Sequence, residues 1–153
     1  MEINKHHWSS VSLRIFSESI SIEDICAKLD TQPTSYRLKG ELQSKRNPKS
    51  KIREENLWLL KSELDEEILL EHHVERLLLF LKGKVDAIKE LQQECSIDIM
   101  CGYSSKSGQG GFTLDHKLLE ELAKFNVDLS VNLYPPSCCC DEEVGENREE
   151  QGI

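Results

Sequence analysis

Val11, Leu13 and Ile15 alternate with Ser12 and Arg14, the period of a half-buried strand, and Ile22, Ile25, Cys26 and Leu29 follow at helical spacing. Ser21 stands three residues ahead of Asp24, so its hydroxyl can accept a bond from an amide that the helix start leaves unpaired. Pro33 cannot continue that helix, which is expected to stop by about Asp30. Leu57, Trp58, Leu59 and Leu60, bounded by Asn56 and Lys61, make a second short strand. Trp58 is expected to anchor packing there, because an indole buries so much area.

Between Glu66 and Lys82, the side chains of Leu69, Leu70, His73, Leu77, Phe80 and Leu81 fall on one helical face, and Gly83 suits the helix end. A further helix is predicted from about Lys84 to Glu94, with Val85, Ile88 and Leu91 as its apolar stripe. Ile97, Ile99 and Cys101 alternate as a third strand, and Gly102 to Gly111 reads as a loop rich in Ser and Gly. Asp115 can cap a last helix carrying Leu118, Leu119, Leu122 and Phe125, which Asn126 ends. Val127, Leu129, Val131 and Leu133 alternate as a fourth strand before Pro135 and Pro136.

The order is strand, helix, strand, two helices, strand, helix, strand. It predicts an α+β fold: a four-stranded, ferredoxin-like sheet made from two strand-helix-strand halves, with helices packed on it. The rival is a different α+β layering in which the central helices cover the other face. The expected organisation is an N-terminal extension over residues 1–8, one domain over 9–136 and a disordered acidic tail over 137–153.

With 153 residues the chain suits a single core. No apolar run approaches the ~18–20 residues that cross a bilayer, so no membrane association is expected. Met1 to Ser10 has no apolar stretch of the kind a secretory signal needs, and the expected location is cytoplasmic.

Charge changes the picture locally more than the total of -9 does. From Asp141 onward there are six acids against Arg148 alone, whereas Arg37, Lys39, Lys45, Arg46, Lys49, Lys51 and Arg53 face only Glu41 across a stretch broken by Gly40, Asn47 and Pro48. That stretch is predicted to be an irregular, mobile loop and is the candidate interaction surface, suited to steering an acidic protein partner. A nucleic-acid partner is disfavoured, because the protein is acidic overall and the loop has no interleaved aromatics.

Candidate chemistry is sparse. Cys26, Cys95 and Cys101 fall within or beside predicted elements as small apolar side chains, and the adjacent Cys138, Cys139 and Cys140 lack the spacing with which a chain wraps zinc. His72 and His73 would point about 100° apart on a helix and are poorly placed to share a metal. Ser107 to Gly111 lacks the Lys-Ser/Thr ending of a phosphate loop. No catalytic residue, metal ligand or cofactor is therefore assigned. Trp58, Tyr103 and Tyr134 are candidates for a ligand cleft beside the sheet.

Pro33-Thr34 after the first helix, Lys39-Gly40, Trp58 at the second strand, Gly110-Gly111 ahead of Phe112, the helix from Leu118 to Ala123 and the terminal Tyr134 together resemble the bacterial family of domain of unknown function 4279 (DUF4279). The resemblance spans roughly Ser9 to Tyr134 and implies a small cytosolic domain, with no reaction, cofactor or site residue to carry over. The expected function is a non-enzymatic protein-binding module, immunity-like by analogy. The alternative is a small-ligand sensor or enzyme with a site near the sheet. The sequence leaves the oligomeric state open.

Overall fold

The computed structural model describes residues 1–136; the predicted acidic tail, with Cys138, Cys139 and Cys140, lies outside the described residues. The alternation around Leu13 extends into an eleven-residue strand, β1 (His7–Ser17). Helix α1 (Ile22–Leu29) follows, with the Ser21 hydroxyl accepting from the Asp24 amide at 3.1 Å. It ends at Asp30, whose φ of 48° is left-handed, just ahead of Pro33. A three-residue strand, β2 (Ser35–Arg37), precedes the basic stretch, and β3 (Asn56–Lys61) follows it. Then come α2 (Leu70–Lys82), α3 (Val85–Leu91), β4 (Ser96–Ser105), α4 (His116–Ala123) and β5 (Asp128–Tyr134). Asp115 caps α4 by accepting from the Leu118 amide at 2.8 Å, and Asn126 leaves the turn after that helix with a φ of 52°.

The five strands form one sheet in the order β2-β3-β1-β4-β5. β1 lies antiparallel to both β3 and β4, β2 lies antiparallel to β3, and β4 and β5 are parallel. The four-stranded ferredoxin-like sheet expected from the sequence is therefore incorrect. Three residues account for the extra strand: Ser35–Arg37 are too few to show a period of two and adjoin a charged stretch. Because β3 is antiparallel to both β1 and β2, those two strands run the same way, and β3 returns between them. The first strand-helix-strand half is thus β1-α1-β2, with an unrelated strand inserted, and its second strand is not Leu57–Leu60.

Register places alternate residues on opposite faces. Val11, Leu13 and Ile15 of β1, Ile99 and Cys101 of β4 and Trp58 of β3 face the core and are fully buried. They meet Ile25 and Leu29 of α1, Val74, Leu77 and Leu81 of α2, Ile88 and Leu91 of α3, and Leu118 and Leu122 of α4. The helices touch one another, α1 with α3 and α2 with both α3 and α4, and so form one layer. The opposite face stays half exposed: Trp8, Ser10, Arg14 and Phe16 of β1 stand beside Asp98, Met100 and Ser104 of β4. At its centre the Arg14 guanidinium grips the Asp98 carboxylate through two bonds, at 2.8 and 2.5 Å. At its lower end the Trp8 ring lies over Gly102, where a Cβ would stand 2.9 Å from the indole, so only glycine leaves room.

The sequence pattern places the start of the long helix at Glu66, yet α2 begins at Leu70. The backbone of 66–69 is already engaged: Asn4 donates to the Glu67 carbonyl, Ser9 to that of Glu66, and the Leu69 amide donates to Glu2. An N-terminal strap thus occupies groups that another helical turn would need.

Candidate functional site

The basic stretch leaves the sheet at Arg37 and returns at Asn56. Its two limbs are tied by Gly40 donating to the Arg53 carbonyl at 2.9 Å, Arg53 to Glu41 at 2.8 Å and Gln43 to Lys51 at 2.8 Å, with Leu42 and Ile52 bridged. At the tip the Ser50 hydroxyl serves both the amide and the carbonyl of Ser44, at 3.1 Å each. At the base the Asn56 side chain accepts from the Lys39 amide at 2.9 Å and donates to the Ile20 carbonyl at 3.0 Å. The segment is irregular in outline, as its Gly, Asn and Pro residues suggest, but it is built as a hydrogen-bonded arm.

Arg37, Lys39, Lys45, Arg46, Lys49 and Lys51 are exposed on this arm, and Arg53 is half-buried, donating to the Gln43 carbonyl at 3.1 Å. Among the described residues none of the seven enters an ion pair. Glu18, Glu54 and Glu55 share a depression at the base with Lys39, Lys51 and Arg53, whereas Lys45, Arg46 and Lys49 at the tip have no ion-pair partner among the described residues.

The three aromatic candidates are not brought to one place. Trp58 lies opposite Ile15, fully buried, and its indole N–H has no partner among the described residues. Tyr103 is buried on the helix-covered side, edge-on to Phe112 at 5.4 Å and 5.7 Å from the His7 ring. Tyr134 lies on the open side, edge-on to Trp8 at 5.5 Å. Tyr103 and Tyr134 do border one open pocket of about 350 Å³ at the strand ends, together with Gly108, Gly110, Pro135 and Pro136. The loop beside it closes on itself, with the Ser105 and Ser107 hydroxyls both donating to the Gln109 carbonyl.

Sequence reasoning missed a buried polar cluster where α2 crosses β1. Ser62 Oγ and His73 Nδ1 lie 2.6 Å apart, and the residues are 6% and 1% exposed. His7 Nε2 faces the Ile68 carbonyl at 3.4 Å, while His7 Nδ1, Ser9 Oγ and His73 Nε2 are buried without partners among the described residues. Burial lowers the His73 pKa from its ordinary value, with nearby His7 and His72 acting the same way and the carbonyls of Ile68 and Asp65 opposing. A serine against a histidine is the geometry of an activated nucleophile, but both residues are buried between the sheet and α2. The only sequence signal was a histidine on an apolar helical face. Its partner Ser62 sits on another element, at no informative spacing.

Cys95 and Cys101 are made unreactive by their environment. Cys101 is buried, and desolvation pushes its thiol up to about 12; Cys95 is raised for the same reason. Among the described residues no three His, Cys, Asp or Glu side chains converge as a metal-ligand set, and no helix is long and apolar enough to cross a membrane.

The family model described as Domain of unknown function (DUF4279) matches residues 4–136. No curated protein and no solved structure matches the chain.

Proposed function

Taking as premise that the chain belongs to the DUF4279 family, we propose that it is a non-enzymatic protein-binding module, immunity-like in neutralising a partner by occupying it, whose basic arm docks on an acidic protein surface. The observation that carries this reading is the arm itself: six exposed cations on a hydrogen-bonded projection, without an ion pair among the described residues. Holding long cationic side chains on an ordered support lowers the entropy lost on docking. Clustered charge of one sign also raises the encounter rate with a surface of the opposite sign.

The test is affinity purification from the native host with the full chain and with a variant carrying Lys45→Glu, Arg46→Glu and Lys49→Glu, followed by association kinetics on the recovered partner. The expected result is an acidic partner whose association rate drops by about tenfold or more with the reversed arm and falls steeply with salt. Equal capture by both proteins, at equal rates, rejects the arm as the docking element.

One observation favours the small-ligand alternative. The pocket between Tyr103 and Tyr134, at about 350 Å³, falls within the range of about 300–1,000 Å³ usual for small-molecule sites. Stabilisation by a metabolite in a thermal-shift screen, abolished by Tyr134→Ala, would move the weight to that reading.

A further inference from the structure

The two edges of the sheet are built differently. At β2 the edge is three residues long, follows Pro33, and carries the Arg37 guanidinium donating to the Tyr36 carbonyl at 2.8 Å. A short edge beside proline, blocked by its own cation, resists pairing with another strand. At β5 the edge is seven residues long and pairs with β4 from Asp128 to Tyr134. It contains no proline, lysine or arginine, and its one charge is Asp128 at the first position. Its outer side has no strand partner among the described residues, and Leu133 and Tyr134 are 73% and 46% exposed.

We infer that β5 pairs antiparallel with β5 of a second copy of this chain, joining two five-stranded sheets into one across a two-fold axis at Val131. The side chains of the strand select this register. With Val131 facing its own counterpart, Leu129 lies opposite Leu133 of the second copy, and the apolar strip on the helix-covered side continues across the junction. On the open side Ser130 meets Asn132, and Asp128 meets Tyr134. All seven residues take part and no like charges face each other. Moving the axis one residue either way keeps faces matched but leaves only five residues paired. The contact is isologous, so it closes as a dimer and does not propagate.

The experiment is sedimentation velocity on the full chain with reductant present, from about 1 to 100 µM. The wild type is expected to pass from monomer to dimer within that range. Ser130→Lys with Asn132→Lys sets lysines opposite each other twice across the axis, on the open side away from the core. That double variant should need at least about tenfold higher concentration to dimerise. Ser130→Asp with Asn132→Lys places opposite charges at the same positions and should restore the dimer. Circular dichroism and the unfolding midpoint of each variant report that the monomer is intact. A wild type that stays monomeric, a dimer indifferent to the two lysines, or loss of the dimer in both double variants overturns the inference.

Discussion

Replacing Trp58 by alanine is expected to lower the free energy of unfolding by about 3–5 kcal/mol, the range for truncating a large buried aromatic. The indole is completely buried and lies opposite Ile15 on β1, in the part of the sheet that packs against α1. Truncation would leave a cavity that the paired backbones of β1, β2 and β3 cannot collapse to fill. Trp58→Phe supplies the control. Its smaller ring also leaves space, but it removes an indole N–H that has no partner among the described residues, and an unsatisfied buried donor costs about 1–3 kcal/mol. Phenylalanine should therefore cost well under half of what alanine does. Urea denaturation of the three proteins measures both differences, and equal losses for the two variants would show that the ring volume phenylalanine retains contributes nothing to packing at this site.

Acid should weaken the fold through His73 before it weakens it through any carboxylate. Its pKa in the folded state lies below the ordinary 6.5 because burial disfavours the charged ring. Above 6.5 the folded and unfolded chains are both neutral at this position, and the full stability is present. Below it the unfolded chain takes up a proton that the folded chain refuses, so stability falls as the pH drops toward the folded value. The slope in that window approaches about 1.4 kcal/mol per pH unit for one proton. The groups facing the ring are Ser62, His7 and His72 together with the carbonyls of Ile68 and Asp65, and Glu75 lies 3.2 Å from His72 on the exposed side.

Glu121 acts in a different window. Lys124 and Lys82 hold its carboxyl down to about 2, so its contribution is present above 4.5 and is lost only as the pH falls from there toward 2. Unfolding midpoints at pH 7.5, 6.5 and 5.5 read the His73 window, and midpoints at about pH 4 and about pH 3 read that of Glu121. Ser62→Ala with His73→Leu removes the hydrogen-bonded pair together and should flatten the upper slope while leaving the lower one. An unchanged upper slope in that variant would exclude His73 as its source.

The sequence carried most of the elements and little of their arrangement. β1, α1, α4 and β5 were legible because each shows a clean period and, for the helices, a capping side chain that the structure uses as expected, at Ser21 and Asp115. β2 was not, since three residues in a charged context carry no periodicity. The start of α2 was misplaced because the amphipathic pattern says nothing about a strap from residues 2–9 claiming the backbone of 66–69. Strand order was wrong for a related reason. The return of β3 between β2 and β1 depends on how the arm turns, which hydrophobic alternation does not encode. The basic residues were found as a set because charge is additive along a chain. The Ser62–His73 pair and the unguarded edge at β5 are tertiary facts that spacing alone could not reveal.

β1 is central in the sheet and first in the chain, which has a consequence for synthesis. Leu13 pairs with Leu60 on one side and Ile99 on the other, so a ribosome producing about 5–20 residues per second holds this apolar strand without its second neighbour for several seconds. The helices that bury its core side, α1 aside, are also translated after β3. Codon speed between Lys61 and Ser96 and the availability of a holdase at the exit tunnel should therefore set the soluble yield more strongly than codon choice downstream of β4.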